Sequence, residues 1–240
     1  MSRVAIVTGA SRGIGRAIAT RLARDFSTVA LVARTAATLA ETAEVVRKTG
    51  AEPLIFARDL REPEASGAVV RATLDRSGRI DALVNVAGAV PQKNLFVMTD
   101  EEWNDGLSLK FHGARRLTLQ AWEALKASNG AVVLTSGASA LAPKASLAAV
   151  GTINAAISAL AKAFSERGIK DGVQVNSLLP GPVMTDRRRS ICWSATARPM
   201  GCRWKTPVSA SSRRPASAVM ARPRKSPNWS PFWCRRRRAG

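Results

Sequence analysis

Short apolar runs alternate along the chain with longer segments in which apolar residues recur every three or four positions. The run 4–7 predicts a buried strand, and the segment 13–23, with Ile14, Ile18 and Leu22 on one face, predicts a helix. Further strands are predicted at 29–33, 54–57, 82–85, 131–135 and 173–179, and further helices near 36–48, 63–76, 100–127 and 146–167.

Continuously apolar strands separated by helices are typical of parallel strands that are covered on both faces. We therefore expect an α/β protein with a single doubly wound parallel sheet and right-handed crossovers. Ligands of such sheets bind in a crevice at the carboxyl ends of the strands. We therefore expect the functional residues at that edge of the sheet.

The first strand is followed by a glycine-rich loop that ends in the first predicted helix. Glycines at this joint allow a tight turn and bring backbone N–H groups and the positive helix end against a pyrophosphate. The alternative is that the glycines only make the turn. The predicted cofactor-binding residues of the loop are Gly9, Ser11, Arg12, Gly13, Ile14 and Gly15.

Further motifs, in the same order along the chain, resemble those of the short-chain dehydrogenases/reductases, a family with a Rossmann fold. Asp59-Leu60 resembles the motif beside the adenine, and 85–88 resembles the Asn-Asn-Ala-Gly motif of the adenine ribose. Residues 176–185 are similar to the loop at the nicotinamide. The resemblance adds as cofactor-binding residues Asp59, Leu60, Asn85, Ala87, Gly88, Pro180, Gly181, Val183 and Thr185.

The end of the second strand bears on the choice of cofactor. Dehydrogenases that prefer NAD usually have an acidic residue there, which repels a 2′-phosphate. Here the residue is Arg34, whose planar fork pairs with phosphate, and Arg12 adds a second cation. We expect NADP rather than NAD; the alternative is that Arg34 is a solvated residue at the helix start.

The resemblance fails at the catalytic positions, which in the family hold Ser, Tyr, Lys and Asn. The chain has no tyrosine at all. Alignment on the neighbouring motifs puts Gly137 at the Ser position, Val150 at the Tyr position, Asn154 at the Lys position and Lys110 at the Asn position. Catalysis by the family's usual proton donor is therefore excluded.

The lysine and the asparagine have in effect exchanged positions. If the two helices face each other as in the family, Lys110 and Asn154 lie in contact beside the crevice, and Ser139 and Thr152 are candidate replacement hydroxyls. We therefore predict Lys110, Ser139 and Asn154 as the catalytic residues, and no metal site. The alternative is that Lys110 is a surface lysine whose stem covers apolar area.

Charge is distributed unevenly along the chain. The total is +20, but residues 187–240 hold 15 of the 37 Lys+Arg and none of the 17 Asp+Glu, which leaves a net charge of only +5 for residues 1–186. Back-translation of 225–234 in a shifted frame yields an amphipathic helix similar to one near the family's C-terminus. We therefore predict that 1–186 is the NADP-binding domain and that a frameshift near 187–192 produced the tail.

Three function classes remain. The first is an NAD(P)-dependent oxidoreductase that acts on a carbonyl or alcohol of a small-molecule substrate. The second is a catalytically impaired dinucleotide-binding protein or decayed gene product, and the third, supported by charge alone, is a nucleic-acid binder. We favour the first, expect no specific nucleic-acid or membrane partner, and expect a cytoplasmic protein that forms a homo-oligomer, as is common in the family.

Overall fold

The computed structural model describes residues 2–183 and 185, and the predicted tail lies outside them. Six parallel strands form one sheet in the order β3-β2-β1-β4-β5-β6. The strands are β1 Val4–Thr8, β2 Thr28–Ala33, β3 Glu52–Ala57, β4 Ala82–Asn85, β5 Ala131–Thr135 and β6 Gln174–Leu178. This order is that of a doubly wound dinucleotide-binding sheet, so the predicted fold class is confirmed.

The helices fill the connections between the strands. They are α1 Gly13–Leu22, α2 Ala36–Arg47, α3 Pro63–Ser77, α4 Asp100–Gly106, α5 Ala114–Ala127 and α6 Ala148–Asp171. The predicted helix 100–127 is interrupted, because a π-helical segment, Leu107–Gly113, joins α4 to α5. Such segments widen the turn by one residue and are frequent at functional sites.

Alternate strand residues face opposite helical layers. Ile6 and Leu83 lie in the cluster formed with α3, α5 and α6, whereas Val7 and Leu31 lie in the cluster formed with α1 and α2. All four side chains are fully or almost fully buried. Burial on both faces explains why the strands are apolar at successive positions.

Helix α6 belongs to the segment 145–171, which is long and apolar enough to cross a membrane by length and composition alone. Its residues Ile153, Ile157 and Ala161 are buried in the core clusters. A core helix passes the same test of length and hydropathy, so the segment is weak evidence for a membrane span.

Candidate active site

A crevice of about 390 Å³ opens at the carboxyl ends of β1, β2 and β4. It is lined by Gly9, Ser11, Arg12, Gly13, Ile14, Gly15, Val32, Ala33, Arg34, Thr35, Thr38, Arg58, Leu60, Val86, Ala87, Gly88, Ala89, Leu109 and Thr185. All six predicted loop residues are therefore brought together. Of the other predicted cofactor-binding residues, Arg34, Leu60, Ala87, Gly88 and Thr185 line the same crevice.

Several positions of the glycine loop accept only glycine, because of the backbone conformation or because of close contacts. Gly9 and Gly13 have φ of +66° and +56°, a region that side chains disfavour. A Cβ on Gly15 would lie 2.1 Å from the backbone oxygen of Gly9, and a Cβ on Gly9 would lie 3.1 Å from the backbone of Ala87. The loop thus forms a backbone cradle at the start of α1, which fits a dinucleotide pyrophosphate.

Thr8 ties this cradle to the loop after β4. Its Oγ1 accepts hydrogen bonds from the backbone N–H of Val86 at 2.9 Å and of Ala87 at 3.0 Å. The two loops that line the crevice are therefore fixed to each other. Thr8 is not among the predicted site residues, although it directly precedes the glycine loop in the sequence.

Asn85, a predicted cofactor-binding residue, turns its side chain into the fold and does not line the crevice. Its Nδ2 donates to Thr118 Oγ1 of α5 at 3.2 Å, and the residue is only 4% exposed. Its buried Oδ1 has no hydrogen-bond partner among the described residues. The lining after β4 begins one residue later, at Val86.

Arginines gather at the end of the crevice near β2 and β3. Arg12, Arg34 and Arg58 all line it, and the Arg34 side chain is 62% exposed. Arg58 was not predicted, because no motif marks a single arginine after a strand.

Asp59 does not line the crevice; it lies between Arg34 and Arg61, with Arg34 Nη1 at 4.0 Å and Arg61 Nη1 at 3.2 Å from its carboxylate. Arg61 also forms a double hydrogen bond with Asp105 of α4. This bond is the main reason that the pKa of Arg61 is raised and the pKa of Asp105 is lowered. Asp59 therefore acts within an ion network at the rim.

The loop after β6 lies only partly at the crevice. Thr185 lines it, and a Cβ on Gly13 would lie 3.3 Å from Thr185 Cγ2. Pro180 and Val183 line a second, open cavity against α1 instead, and Gly181 lines neither cavity. The backbone oxygen of Pro180 accepts the N–H of Ala138 at 3.0 Å, which joins this loop to the one after β5.

Lys110 and Asn154 are in direct contact, as the exchange of positions predicted. Lys110 Nζ donates to Asn154 Oδ1 and to the backbone oxygen of Ser136, the latter at 3.1 Å. Asn154 Nδ2 in turn donates to Ser139 Oγ at 2.8 Å. The three predicted catalytic side chains thus form one chain of hydrogen bonds.

The stem of Lys110 lies against the crevice wall. A Cβ on Gly88 would lie 3.0 Å from Lys110 Cδ, and both Gly88 and the neighbouring Leu109 line the crevice. Burial lowers the pKa of Lys110 from 10.5 to about 8. The side chain of Lys110 is therefore largely buried, and its ammonium is bonded to two oxygens.

The comparison with known proteins agrees with this geometry. The model of the family described as short chain dehydrogenase matches residues 3–193. The chain belongs to the short-chain dehydrogenase family.

Relatives of this short-chain dehydrogenase share its fold over most of the chain. General stress protein 39 of Bacillus subtilis is 30% identical over 185 residues, which are 76% of this chain and 64% of that protein. The structure of L-sorbose reductase of Gluconobacter frateurii, complexed with NADPH and L-sorbose, has a TM-score of 0.78 and 30% identity, and the match covers 81% of this chain and 75% of that one. NAD+-bound xylitol dehydrogenase has a TM-score of 0.72 and 27% identity, covering 75% and 70%.

This short-chain dehydrogenase departs from the family pattern at the two hydroxyl positions. A Cβ on Gly137 would lie 2.6 Å from Asn154 Nδ2, so the amide occupies the space of a serine side chain. Val150 packs in an apolar cluster with Trp103 and Leu107. Ser136 is buried, and its Oγ donates to the backbone oxygen of Asn154 at 2.6 Å. The Ser139 hydroxyl, in contrast, is partly exposed and accepts from Asn154 Nδ2.

Proposed function

We propose that the chain is an NADP(H)-dependent oxidoreductase that interconverts a carbonyl and an alcohol on a small molecule. The observation that carries the proposal is the continuity of the crevice, which runs from the glycine cradle to the wall formed by Gly88 and Leu109, against which Lys110 lies. A dinucleotide bound in the cradle would extend along this wall. When bound, the nicotinamide cofactor supplies the hydride or accepts it.

NADP(H) is proposed over NAD(H) on electrostatic grounds. Arg12, Arg34 and Arg58 line the end of the crevice where the adenosine ribose would lie, and the acidic neighbours of Arg34, which are Asp59 and Asp105, are both already paired with Arg61. Three guanidinium groups favour a 2′-phosphate and offer no acceptor to a free ribose hydroxyl. The NADPH complex of the L-sorbose reductase supports this preference, while the NAD+ complex of xylitol dehydrogenase shows that the fold accommodates both cofactors.

In this reaction each residue of the site would have a distinct role. Backbone N–H groups of the glycine loop bind the pyrophosphate, and Thr185 lies beside Gly13 of this loop. The Ser139 hydroxyl accepts from Asn154, so its own proton is available for a substrate oxygen. Gly88 and Leu109 line the crevice, and the Lys110 stem packs against Gly88.

The test is a fluorescence titration of the purified chain with NADPH and with NADH, followed by a panel of aldehydes and ketones. We expect NADPH to bind at least tenfold more tightly and at least one carbonyl to be reduced. No binding of either cofactor at hundreds of micromolar would refute the proposal. Binding without turnover of any carbonyl would instead support the catalytically impaired dinucleotide binder.

The cytoplasmic location, the homo-oligomer and the absence of a nucleic-acid partner stay predictions. Light scattering checks the oligomer. Salt-dependent DNA binding by the full chain, lost on truncation after Asp186, would support the basic tail as a nucleic-acid binder.

A further inference from the structure

The Lys110 ammonium has one N–H left for a reaction. Of its three N–H donors, one bonds to Asn154 Oδ1 and one to the backbone oxygen of Ser136, and no third partner is present among the described residues. The stem lies against Gly88, which lines the crevice, and the ammonium lies between the loop after β5 and α6. A charged donor fixed by two acceptors, with one proton uncommitted, has the arrangement of a general acid.

We propose that Lys110 is the acid–base residue of this enzyme and does the work that tyrosine does elsewhere in the family. This inference rests on the proposed function. In reduction, Lys110 would give a proton, directly or through one water, to the carbonyl oxygen, which takes up the C=O π pair as the carbonyl carbon receives the hydride and its electron pair that a bound reduced nicotinamide would supply. The products are the alcohol, the oxidised cofactor and a neutral amine, which regains a proton from solvent.

The other described proton donor beside Asn154 is the Ser139 hydroxyl, which is a far weaker acid than an ammonium. The elements packed around the ammonium present Asn154 from α6, Ser136 and Gly137 after β5, and Gly88 after β4, all uncharged. Burial is the one cause of the lowered Lys110 pKa, so no neighbouring charge tunes it. A value of about 8 keeps the ammonium protonated at neutral pH yet able to release its proton.

Asn154 is a positioning residue in this scheme. Its amide oxygen holds Lys110 while its amide nitrogen holds Ser139, so one side chain sets the distance between the proton donor and the hydroxyl. Asn154 is 3% exposed and cannot turn without losing both bonds. Asn154→Asp places a negative charge beside Lys110 with almost no change in the shape of the side chain, so it tests the effect of charge on the ammonium.

The experiment measures the pH profile of NADPH-dependent carbonyl reduction in four full-length proteins. In the wild type, kcat should fall with a midpoint near pH 8 as the ammonium is lost. Lys110→Met should lower kcat by at least about 100-fold. Asn154→Asp should move the midpoint upward by at least one pH unit, because a carboxylate favours the ammonium. The exposed Lys162→Met is the matched control, with kcat within twofold of the wild type.

A second experiment measures the titration of Lys110 without any cofactor. Amine labelling of the cofactor-free protein at a series of pH values, with peptide masses measured, gives the midpoint at which Lys110 becomes reactive, expected near pH 8 and higher in Asn154→Asp. Circular dichroism and NADPH binding confirm that the variants fold.

Reduction retained in Lys110→Met, or a profile that Asn154→Asp leaves unmoved, would overturn the assignment of Lys110 while the proposed function stands. Failure of the wild type to reduce any carbonyl would overturn the proposed function and this inference together.

Discussion

Replacing Lys110 with methionine should remove a specific dependence of stability on pH. The folded lysine has a pKa of about 8, whereas an ordinary lysine side chain has 10.5. Between these values the unfolded chain binds a proton that the folded chain does not, so the free energy of unfolding of the wild type rises with pH across this window. Methionine has a similar length and no proton to bind.

The magnitude follows from the interval between the two values. At 1.36 kcal/mol per pH unit, the wild type should gain about 3 kcal/mol over Lys110→Met between pH 7 and pH 11. About 1.4 kcal/mol of this should appear by pH 9 and about 2.5 kcal/mol by pH 10. The unpaired acceptors left by methionine, Asn154 Oδ1 and the Ser136 backbone oxygen, add a constant offset that does not depend on pH.

Urea unfolding followed by tryptophan fluorescence measures this difference at each pH. Other titrating groups contribute equally to both proteins and cancel in the difference. A difference that stays within about 0.5 kcal/mol from pH 7 to pH 10, or one that falls with pH, would refute the claim that the folded site depresses the pKa of Lys110.

Three further predictions follow from the crevice and its neighbours. Arg34→Asp should weaken NADPH binding more than NADH binding in fluorescence titrations, and equal losses would show that Arg34 does not face the 2′-phosphate. Gly15→Ala should lower the unfolding midpoint and abolish cofactor binding, because its Cβ would lie 2.1 Å from the backbone oxygen of Gly9. The control is Gly67→Ala in α3, whose Cβ has its nearest contact with the flexible tip of Arg71; it should leave cofactor binding unchanged and stability unchanged or slightly raised. Gly137→Ser alone should destabilise the fold by displacing Asn154, and the same substitution should cost less in an Asn154→Ala background, where the amide is gone; simple additivity in a double-mutant cycle would contradict the close contact.

The strand and helix pattern, with its family resemblance, was sufficient to predict the sheet and the glycine cradle. These features depend on local pattern, namely apolar strands and a loop in which Gly9, Gly13 and Gly15 must be free of side chains. The contact of Lys110 with Asn154 was also predicted, because two exchanged residues at known helical positions imply it.

The direction of a side chain at the end of a strand could not be predicted from local pattern. Asn85 is the last residue of β4, and whether its amide faces the crevice or α5 depends on the position of Thr118, a residue 33 positions away. The π-helical segment likewise depends on tertiary contacts: a Cβ on Gly106 would lie 3.0 Å from Ile153, and a Cβ on Gly113 would lie 3.0 Å from the Leu60 oxygen. No local sequence signal encodes such approaches.

The contact between Lys110 and Asn154 restricts how evolution can exchange the two side chains. Two lysines would put two ammonium groups in one poorly solvated place, and at least one would have to lose its charge. Two asparagines would pair an amide donor with an amide acceptor at little cost. A lineage that passes between the family's arrangement and this one by single substitutions therefore crosses through the pair of amides, an ancestor without any lysine at the site.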